Sequence, residues 1–380
     1  MANFIHRFEP ASADPVGPTC VLTSRAIEDA GLLEILQTPG APMGHWGLFD
    51  VLLDGASPDF VFREPLGKAR EVKTALSGLF GRFVARAYAS QYLHYTHFTH
   101  IHSPPLRLDG RSRAEVIRRP RHRGDLPDWA VWSASAGLGI IEAKGCHSPG
   151  GPDHILQSAY RQAERAEIRI GGRLARFKRY AVATRWGFTL PTPSSPILAV
   201  KDPEVEGEAV GEEELDRSGV GIARRHMSAI LRPLGHLELA TALSELVHTP
   251  FKNGEAAARQ RVEQALASAD VRSIGRRSDG RRGARNGMAD DLIGGFVTRG
   301  GVLADRDLSP VDQETLQRLQ LSPCFIGVER SAIEAVLVGD MTRLRERQKG
   351  TRTMDDIPEV RLDGGGTIVV RLEDGQAEIV

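Results

Sequence analysis

Two short apolar segments near the middle of the chain constrain its fold more than any other feature. Residues 127–132 read PDWAVW, and residues 138–145 read LGIIEAKG, with only small residues and one glycine between them. Two such runs joined by a short glycine-containing loop predict a β-hairpin. If this hairpin folds about Ser135, then Asp128 lies opposite Glu142, because the two residues are equally far from the turn.

The predicted hairpin brings two carboxylates and an ammonium group together. Directly opposed residues of an antiparallel pair have Cβ atoms about 5 Å apart. Side chains alternate between faces with a period of two, so Glu142 and Lys144 share one face. Two facing carboxylates, here Asp128 and Glu142, repel each other unless a cation lies between them, and hard oxygen ligands suit Mg²⁺ or Mn²⁺. The pattern therefore predicts a hydrolytic metal site.

Pro127-Asp128 followed by Glu142-x-Lys144 resembles the PD-(D/E)XK nuclease superfamily, which is also called restriction-endonuclease-like. The core of that family consists of a helix, a three-stranded meander, a second helix and a further strand. Segments with matching signals follow one another in this order over about residues 65–190. They are a helix at 67–93, a first strand at 114–118, the hairpin, an amphipathic helix at 153–168 and a strand at 179–186.

The resemblance implies a role for each polar residue of the hairpin. In this family two acidic residues and a backbone carbonyl hold the metal, which implies Asp128, Glu142 and the carbonyl of Ala143 as ligands. The metal would activate a water molecule and neutralise charge in the transition state. Lys144 would orient or help to deprotonate that water and stabilise the developing negative charge.

The resemblance extends less fully to the following helix. Several members of the family carry a Gln-x-x-x-Tyr element there, which implies Gln157 as a side chain that orients the site. The position four residues later holds Arg161, and Tyr160 precedes it, so the tyrosine cannot be carried over. Some members also place an acid on the first helix, where Glu71 is the candidate.

An arginine-rich segment, residues 107–123, holds the best candidates for phosphate contacts. It contains seven arginines against two acids and leads directly into Asp128. Positive charge at this position would guide a polyanion towards the metal. The alternative is an ordinary solvated surface loop. Together with one arginine of the next helix, the predicted nucleic-acid-binding residues are Arg118, Arg119, Arg121, Arg123 and Arg161.

Four histidines within residues 94–102 offer a second possible metal site: His94, His97, His100 and His102. Imidazoles in this number could bind Zn²⁺. Their spacing, however, fits neither one helix nor one strand, and a tyrosine and a phenylalanine lie among them. A structural or DNA-facing segment is the favoured interpretation.

Changes in composition along the chain predict four parts. Residues 1–60 form an N-terminal extension of unknown type, residues 61–200 the nuclease-like domain, and residues 201–220 an acidic linker. Residues 221–380 form a mainly helical C-terminal domain that ends in a β-hairpin with an Asp-Gly turn. The predicted fold class is therefore α/β, with a restriction-endonuclease-like core between two additional regions.

Overall composition narrows the function only slightly. The formal net charge is zero, so contact with nucleic acid would depend on local patches. Three widely spaced cysteines indicate neither a disulfide framework nor a zinc knuckle and favour a reducing cytoplasm. No apolar run is long enough to predict a membrane span.

These observations predict a nuclease that uses Mg²⁺ or Mn²⁺ to hydrolyse phosphodiester bonds, with DNA favoured over RNA as its substrate. The resemblance implies a role in defence against foreign DNA, with a second copy of the chain or a defence-system protein as partner. The alternative from another class is a non-catalytic DNA-binding or assembly module that retains the nuclease fold. A third is a helical adaptor in which the acids of the hairpin are accidental.

Overall fold

The chain is seen in a computed structural model that describes residues 2–10, 16–38, 61, 70–147, 150, 152–187, 194–208, 210–249, 252–276, 289–298, 301–303, 323–348, 360–371 and 377–379. The helices within these ranges are α1 (Ser24–Gln37), α2 (Arg70–Gln91), α3 (Asp153–Ala163), α4 (Glu212–Leu231), α5 (Leu237–His248), α6 (Lys252–Ser268), α7 (Arg330–Val338) and α8 (Met341–Gln348). The strands are β1 (Ala2–Pro10), β2 (Thr19–Leu22), β3 (His97–His100), β4 (Leu106–Asp109), β5 (Ala114–Arg118), β6 (Trp129–Ser133), β7 (Gly137–Cys146), β8 (Ala166–Ile170), β9 (Arg173–Leu174), β10 (Lys178–Arg185), β11 (Ile197–Asp202), β12 (Arg272–Arg276), β13 (Ala289–Thr298), β14 (Gly301–Leu303), β15 (Cys324–Glu329), β16 (Val360–Leu362), β17 (Thr367–Arg371) and β18 (Ala377–Ile379).

The largest sheet has seven strands in the order β2-β1-β11-β10-β7-β6-β3. Within it, β3, β6 and β7 form an antiparallel meander, and β10 joins β7 in parallel after the crossover through α3. The described order is therefore a helix, three meandering strands, a second helix and a parallel strand. The chain is a mixed α/β protein, as the sequence predicts.

Helices cover both faces of this sheet. His97 and His100 are three residues apart on β3 and so point to opposite faces. His100 contacts Glu34 of α1, whereas the ring of His97 lies 5.3 Å from that of His226 on α4. Alternate residues of β10 likewise enter two separate apolar clusters, one of which lies beneath α3.

The hairpin has the predicted register. Trp129 pairs with Ile141 and Ser133 pairs with Gly137, so one further step along the ladder sets Asp128 opposite Glu142. Gly137 ends the turn with a φ of 77°, which favours glycine over residues with a Cβ atom.

The first strand of the meander differs from the prediction. Residues 114–118 do form a strand, β5, but it belongs to a separate four-stranded sheet in the order β4-β5-β8-β9. The strand that pairs with β6 is β3, which lies inside the histidine-rich segment. Alternation of apolar and polar residues predicted a strand at β5 correctly but could not show which sheet it joins.

The two core helices also differ in part from their predicted extents. The helix predicted over 67–93 is α2, although residues 67–69 lie outside the described part of the chain. The helix predicted over 153–168 ends at Ala163, because the chain continues into β8. The strand predicted over 179–186 is β10, shifted by one residue.

A close backbone approach fixes α2 against β7 next to the hairpin acids. A Cβ atom on Gly145 would lie 1.8 Å from the backbone oxygen of Ser77, and one on Gly81 would lie 2.6 Å from the backbone nitrogen of Gly145. The two glycines therefore allow helix and strand to touch, and Arg82 follows immediately in α2.

The N-terminal residues are part of the same body and not a separate extension. β1 pairs in parallel with β11 and antiparallel with β2, which places both strands in the main sheet. α1 begins after Thr23, whose side chain accepts a hydrogen bond from the amide of Ala26 at 3.0 Å. Residues 39–60 of the predicted extension lie outside the described residues.

The C-terminal region contains more strand than the sequence predicted. Three helices, α4 to α6, precede a second seven-stranded sheet, and α4 begins inside the predicted acidic linker. The predicted terminal hairpin is wrong in its pairing: β17 pairs with β15 and β16, whereas β18 pairs with β12. Strands far away in sequence are thus among the partners of β17 and β18. The Asp-Gly pair of the predicted turn lies outside the described residues.

None of the helices in the described ranges combines the length and the apolar character that crossing a membrane requires.

Candidate active site

The two predicted acidic metal ligands lie at the base of the hairpin, and each accepts a hydrogen bond from a backbone amide of the opposite strand. The amide of Asp128 donates to Oε2 of Glu142 at 3.1 Å, and the amide of Ala143 donates to Oδ2 of Asp128 at 2.8 Å. The side chain of Glu142 is 1% exposed and that of Asp128 is 18% exposed. Strand geometry therefore brings the two acids together, with Asp128 on the solvent side.

Lys144 completes the predicted trio. Its Nζ lies 2.6 Å from Oε1 of Glu142, and its side chain is 34% exposed. Nζ also donates to Oε1 of Gln162 at 2.7 Å. The side-chain Nε2 of Gln162 donates to the carbonyl of Leu126, also at 2.7 Å. Gln162 thus ties the lysine on β7 to the loop that leads into Asp128.

The glutamine at the site is therefore Gln162 and not Gln157. Gln157 lies on the exposed face of α3, as does Arg161. The buried face of this helix carries Leu156, Ala159 and Ala163. This packing sets the rotation of the helix about its axis. The rotation directs the side chain of Gln162 towards Lys144.

The backbone of Ala143 is also suitably placed for the role that the resemblance implies. The ladder, continued beyond β6, sets Pro127 opposite Ala143. In an antiparallel pair, a residue that donates towards its neighbour strand also accepts from it. Proline has no N–H group, so Pro127 cannot donate to the carbonyl of Ala143. The proline before Asp128 thus removes one possible hydrogen-bond donor to that oxygen.

A buried ion-pair network on the other side of the hairpin was missed by the sequence interpretation. Nη2 of Arg82 lies 2.6 Å from Oε1 of Glu34, and Nε of Arg82 lies 3.4 Å from Oδ1 of Asp128. Oε2 of Glu34 contacts Nη1 of Arg86 at 3.1 Å and Nε2 of His100 at 3.3 Å. Helices α1 and α2 therefore contribute charged groups to the site.

The pKa of Glu34 reflects these neighbours. Its burial alone would raise the pKa, but the imidazole of His100 and the guanidinium groups of Arg82 and Arg86 hold it well below the ordinary value. Glu34 is therefore a buried carboxylate. A signal existed in the sequence: two arginines four residues apart in the otherwise apolar stretch 80–89 require a buried partner. The predicted acid of the first core helix, Glu71, is exposed.

The pKa values of the hairpin acids are shifted in the opposite direction. Burial, and then the negative charge of Asp128, raise the pKa of Glu142 well above its usual value, and Lys144 offsets only part of this. Burial also raises the pKa of Asp128, against the effect of Arg82. Both acids therefore hold protons more tightly than free carboxyl groups do, and a cation between them would relieve their repulsion.

The donor set fits a small divalent cation of the Mg²⁺ type. Two carboxylates and one backbone carbonyl are hard oxygen ligands, and such sites leave the remaining positions to water or substrate. Across the part of the chain that the structure describes, no group of three or more His, Cys, Asp or Glu side chains is arranged to hold a metal. At the base of the hairpin, the candidate ligands are Asp128, Glu142 and the carbonyl of Ala143.

The predicted arginines fall into two groups. Arg118 ends β5 and donates to the carbonyl of Gly124 at 2.6 Å, so it holds the loop that precedes Asp128. Arg119 is half-buried in this loop. Arg121, Arg123 and Arg161 are exposed, and Arg161 directly precedes Gln162. Three exposed arginines therefore lie on the two segments that meet at the site.

The histidine-rich segment serves mainly the core. His97 and His100 are buried in β3, whereas His94 and His102 are exposed. Burial lowers the pKa of His97 to about 4. Since two of the four rings point to opposite faces, they do not converge on one metal ion.

Comparison with known proteins gives no assignment: no protein-family model, curated protein or solved structure matches this chain.

Proposed function

We propose that this chain is a metal-dependent nuclease of the PD-(D/E)XK type, which hydrolyses phosphodiester bonds in DNA with Mg²⁺ or Mn²⁺. The observation that carries the proposal is the contact between Asp128, Glu142 and Lys144 at the base of one hairpin. An ordinary surface hairpin has no reason to bury two carboxylates against each other, because the like charges repel.

A divalent ion held here would supply a more acidic water molecule and neutralise charge in the transition state. The protein would contribute the remaining steps. Asp128 and Glu142 would hold the ion with the carbonyl of Ala143. Lys144, fixed by Gln162 at 2.7 Å, would orient the attacking water and stabilise the negative charge that develops on the phosphate.

Arginines on the surrounding segments would bind the nucleic-acid backbone. Arg121, Arg123 and Arg161 are exposed on the loop before Asp128 and on α3. Guanidinium groups bind phosphate in a bidentate manner and without sequence preference. A nuclease of this kind suits defence against foreign DNA, including viral DNA, in the cytoplasm, either as a homodimer or with a partner protein.

A second function, that of a non-catalytic DNA-binding or assembly module, is favoured by one observation. Lys144 pairs with Glu142, and Arg82 pairs with Asp128. Each acid thus already has a positive partner, which would be sufficient in a protein that has lost its metal.

Cleavage of supercoiled plasmid DNA distinguishes the two functions. We expect the wild type to cut with Mg²⁺ or Mn²⁺, and Asp128→Asn and Lys144→Met to lose this activity. Two variants serve as matched controls. Asp153→Asn changes an exposed acid at the start of α3. Lys201→Met changes a lysine of β11 that pairs with Glu9 of β1. Both controls should cut like the wild type.

Calorimetry with Mn²⁺ complements the cleavage assay, since a nuclease that needs a partner protein would not cut alone. Titrations should contain a DNA duplex with phosphorothioate linkages, which resist cleavage. We expect Asp128→Asn to lose Mn²⁺ binding and Lys144→Met to keep it. A wild type that neither binds Mn²⁺ nor cuts DNA or RNA would favour the non-catalytic module.

A further inference from the structure

Arg82 is the one charged side chain that contacts both the buried ion-pair network and a predicted metal ligand, among the residues described. It lies 2.6 Å from Glu34 and 3.4 Å from Asp128. We infer that Arg82 is an internal counter-ion that keeps the affinity of the free site for divalent cations low until a nucleic-acid phosphate draws its charge away. This inference rests on the proposed nuclease function and adds the order in which metal and substrate bind.

When both hairpin acids are ionised, the charges around the site balance before any ligand arrives. Three carboxylates, Glu34, Asp128 and Glu142, contact three cations: Arg82, Arg86 and Lys144. A divalent cation that approaches this set meets no net negative charge. The Coulomb attraction that two unpaired carboxylates would supply is therefore largely cancelled.

Glu34 has further hydrogen-bond and ion-pair partners besides Arg82. Oε2 of Glu34 already accepts hydrogen bonds from Nη1 of Arg86 and from the indole of Trp129, each at 3.1 Å, and lies 3.3 Å from His100. The side chains of Arg86 and Glu34 are each 2% exposed, whereas that of Arg82 is 27% exposed. Arg82 thus links the buried carboxylate of Glu34 to the accessible side of the network, where Asp128 lies.

The positive charge of Arg82 is secure. Burial disfavours the charged guanidinium, but Glu34, and after it Asp128 and Glu142, raise its pKa above the usual value. The group can therefore move between anionic partners but cannot be switched off by deprotonation near neutral pH.

A phosphodiester group would change this balance. It brings a negative charge within reach of the two partly exposed cations, Arg82 and Lys144, and guanidinium groups bind phosphate strongly. When these cations pair with the phosphate instead, Asp128 and Glu142 lose their positively charged partners. Their negative charge then attracts a divalent ion. Binding of metal and nucleic acid should then be mutually favourable, since such coupling is reciprocal.

Calorimetric titration of Mn²⁺ into metal-free protein tests this inference with a readout other than cleavage. The titration is made with and without the phosphorothioate DNA duplex. We expect the wild type to bind Mn²⁺ more tightly when DNA is present. Arg82→Met should bind Mn²⁺ about tenfold or more tightly than the wild type without DNA, and should gain less from adding DNA.

Two further variants separate charge from structure. Arg82→Lys keeps the charge and should behave like the wild type. Arg343→Met removes an exposed arginine of α8, far from the proposed machinery in sequence, and should leave the affinity for Mn²⁺ in the absence of DNA unchanged. If Arg82→Met does not fold, the double variant Glu34→Gln/Arg82→Met removes the buried acid together with its partner and should give the same tighter binding.

The outcomes that contradict this inference differ from those that contradict the proposed function. If the wild type binds Mn²⁺ and cuts DNA, while folded Arg82→Met and Glu34→Gln/Arg82→Met bind Mn²⁺ no more tightly than it does, only the role of Arg82 is overturned. If the wild type neither binds Mn²⁺ with DNA nor cuts, both proposals fail.

Discussion

Two polar clusters lie within the same large sheet and differ in how they tolerate burial. The first, which we call the imidazole pair, consists of His97 on β3 and His226 on α4, which packs against this sheet. The second, which we call the acidic site, consists of Asp128, Glu142 and Lys144, with Arg82 beside it. Burial lowers the pKa of both histidines, so the imidazole pair is neutral at pH 7. The acidic site instead brings opposite charges together.

The comparison shows that the fold keeps charged groups buried at the acidic site, at a cost in free energy, but not at the imidazole pair. An imidazole can lose its proton and then be buried as a neutral ring. Arginine cannot do so, and keeping charged groups buried costs several kcal/mol per ion before their attraction is counted. Buried ion pairs are often no more stable than apolar packing. This cost is a further reason to propose a binding or catalytic role for the acidic site.

The largest effect should come from removing the anchor of the charged network. Glu34→Ala leaves Arg82 and Arg86 without their buried carboxylate, and breaking a buried pair in this way costs about 3–5 kcal/mol. We expect this loss in the free energy of unfolding, measured with urea. The control Glu9→Ala removes the exposed acid that pairs with Lys201 and should cost less than about 1 kcal/mol. An equally small loss for Glu34→Ala would contradict the claim that this carboxylate stabilises the buried charges of Arg82 and Arg86.

The next largest effect separates the two clusters by chemistry. Lys144→Met should lower kcat for DNA cleavage about 10²–10³-fold, because it removes a preorganised donor from the developing charge. His97→Gln should leave kcat of the folded protein within a few-fold of the wild type, since this ring faces α4. Single-turnover cleavage with both variants provides the measurement. A similar loss in both would mean that the imidazole pair takes part in the reaction.

The sequence predicted the hairpin and its acids because they depend on local rules. Symmetry about Ser135 and the period of two fix the register of Asp128 and Glu142. The rotation of a helix about its axis and the pairing of distant strands depend on the whole fold. For this reason the sequence points to Gln157, whereas Gln162 is the glutamine that contacts Lys144. Glu34 and Arg82 are 48 residues apart in sequence, and only the packing of α1 on α2 brings them together.

The same limit applies to β3 and to the C-terminal sheet. The spacing of histidines in residues 94–102 suits neither a helix nor a strand, because β3 is buried on both faces and shows no alternation. The strands β17 and β18 were recognised, but their partners β15 and β12 lie far away in sequence. Local turn chemistry gave no information about that choice.

A smaller effect would test the position of the glutamine. Gln162→Leu removes the acceptor at 2.7 Å from Lys144 and should lower kcat about tenfold, as expected for about 1.4 kcal/mol. Gln157→Leu is the matched control on the exposed face of the same helix and should leave kcat unchanged. The reverse result would restore the role that the family resemblance implied for Gln157.

The imidazole pair should make the protein sensitive to acid. The pKa of His97 falls from 6.5 to about 4 on burial, and the ring of His226 lies 5.3 Å from that of His97. A lowered pKa means that the stability contributed by neutral His97 is complete above about pH 6.5 and is lost as the pH falls towards 4. We expect His97→Gln to lose less stability than the wild type between these pH values, measured by urea unfolding. Equal losses would show that His97 is not buried in its neutral form.

The acidic site should produce the smallest effect, with the opposite sign. The pKa of Glu142 is raised in the folded chain, first by burial and then by Asp128. Its contribution to stability is therefore complete below its unfolded pKa, which is about 4.5, and is lost as the pH rises through the folded value. Metal-free Glu142→Gln should consequently gain in Tm over the wild type, by roughly 2 °C, on going from pH 5 to pH 8. Adding Mn²⁺ together with the uncleavable duplex should reverse this order at pH 8, because only the wild type can hold the ion. A gain that persists with Mn²⁺ would argue against Glu142 as a ligand.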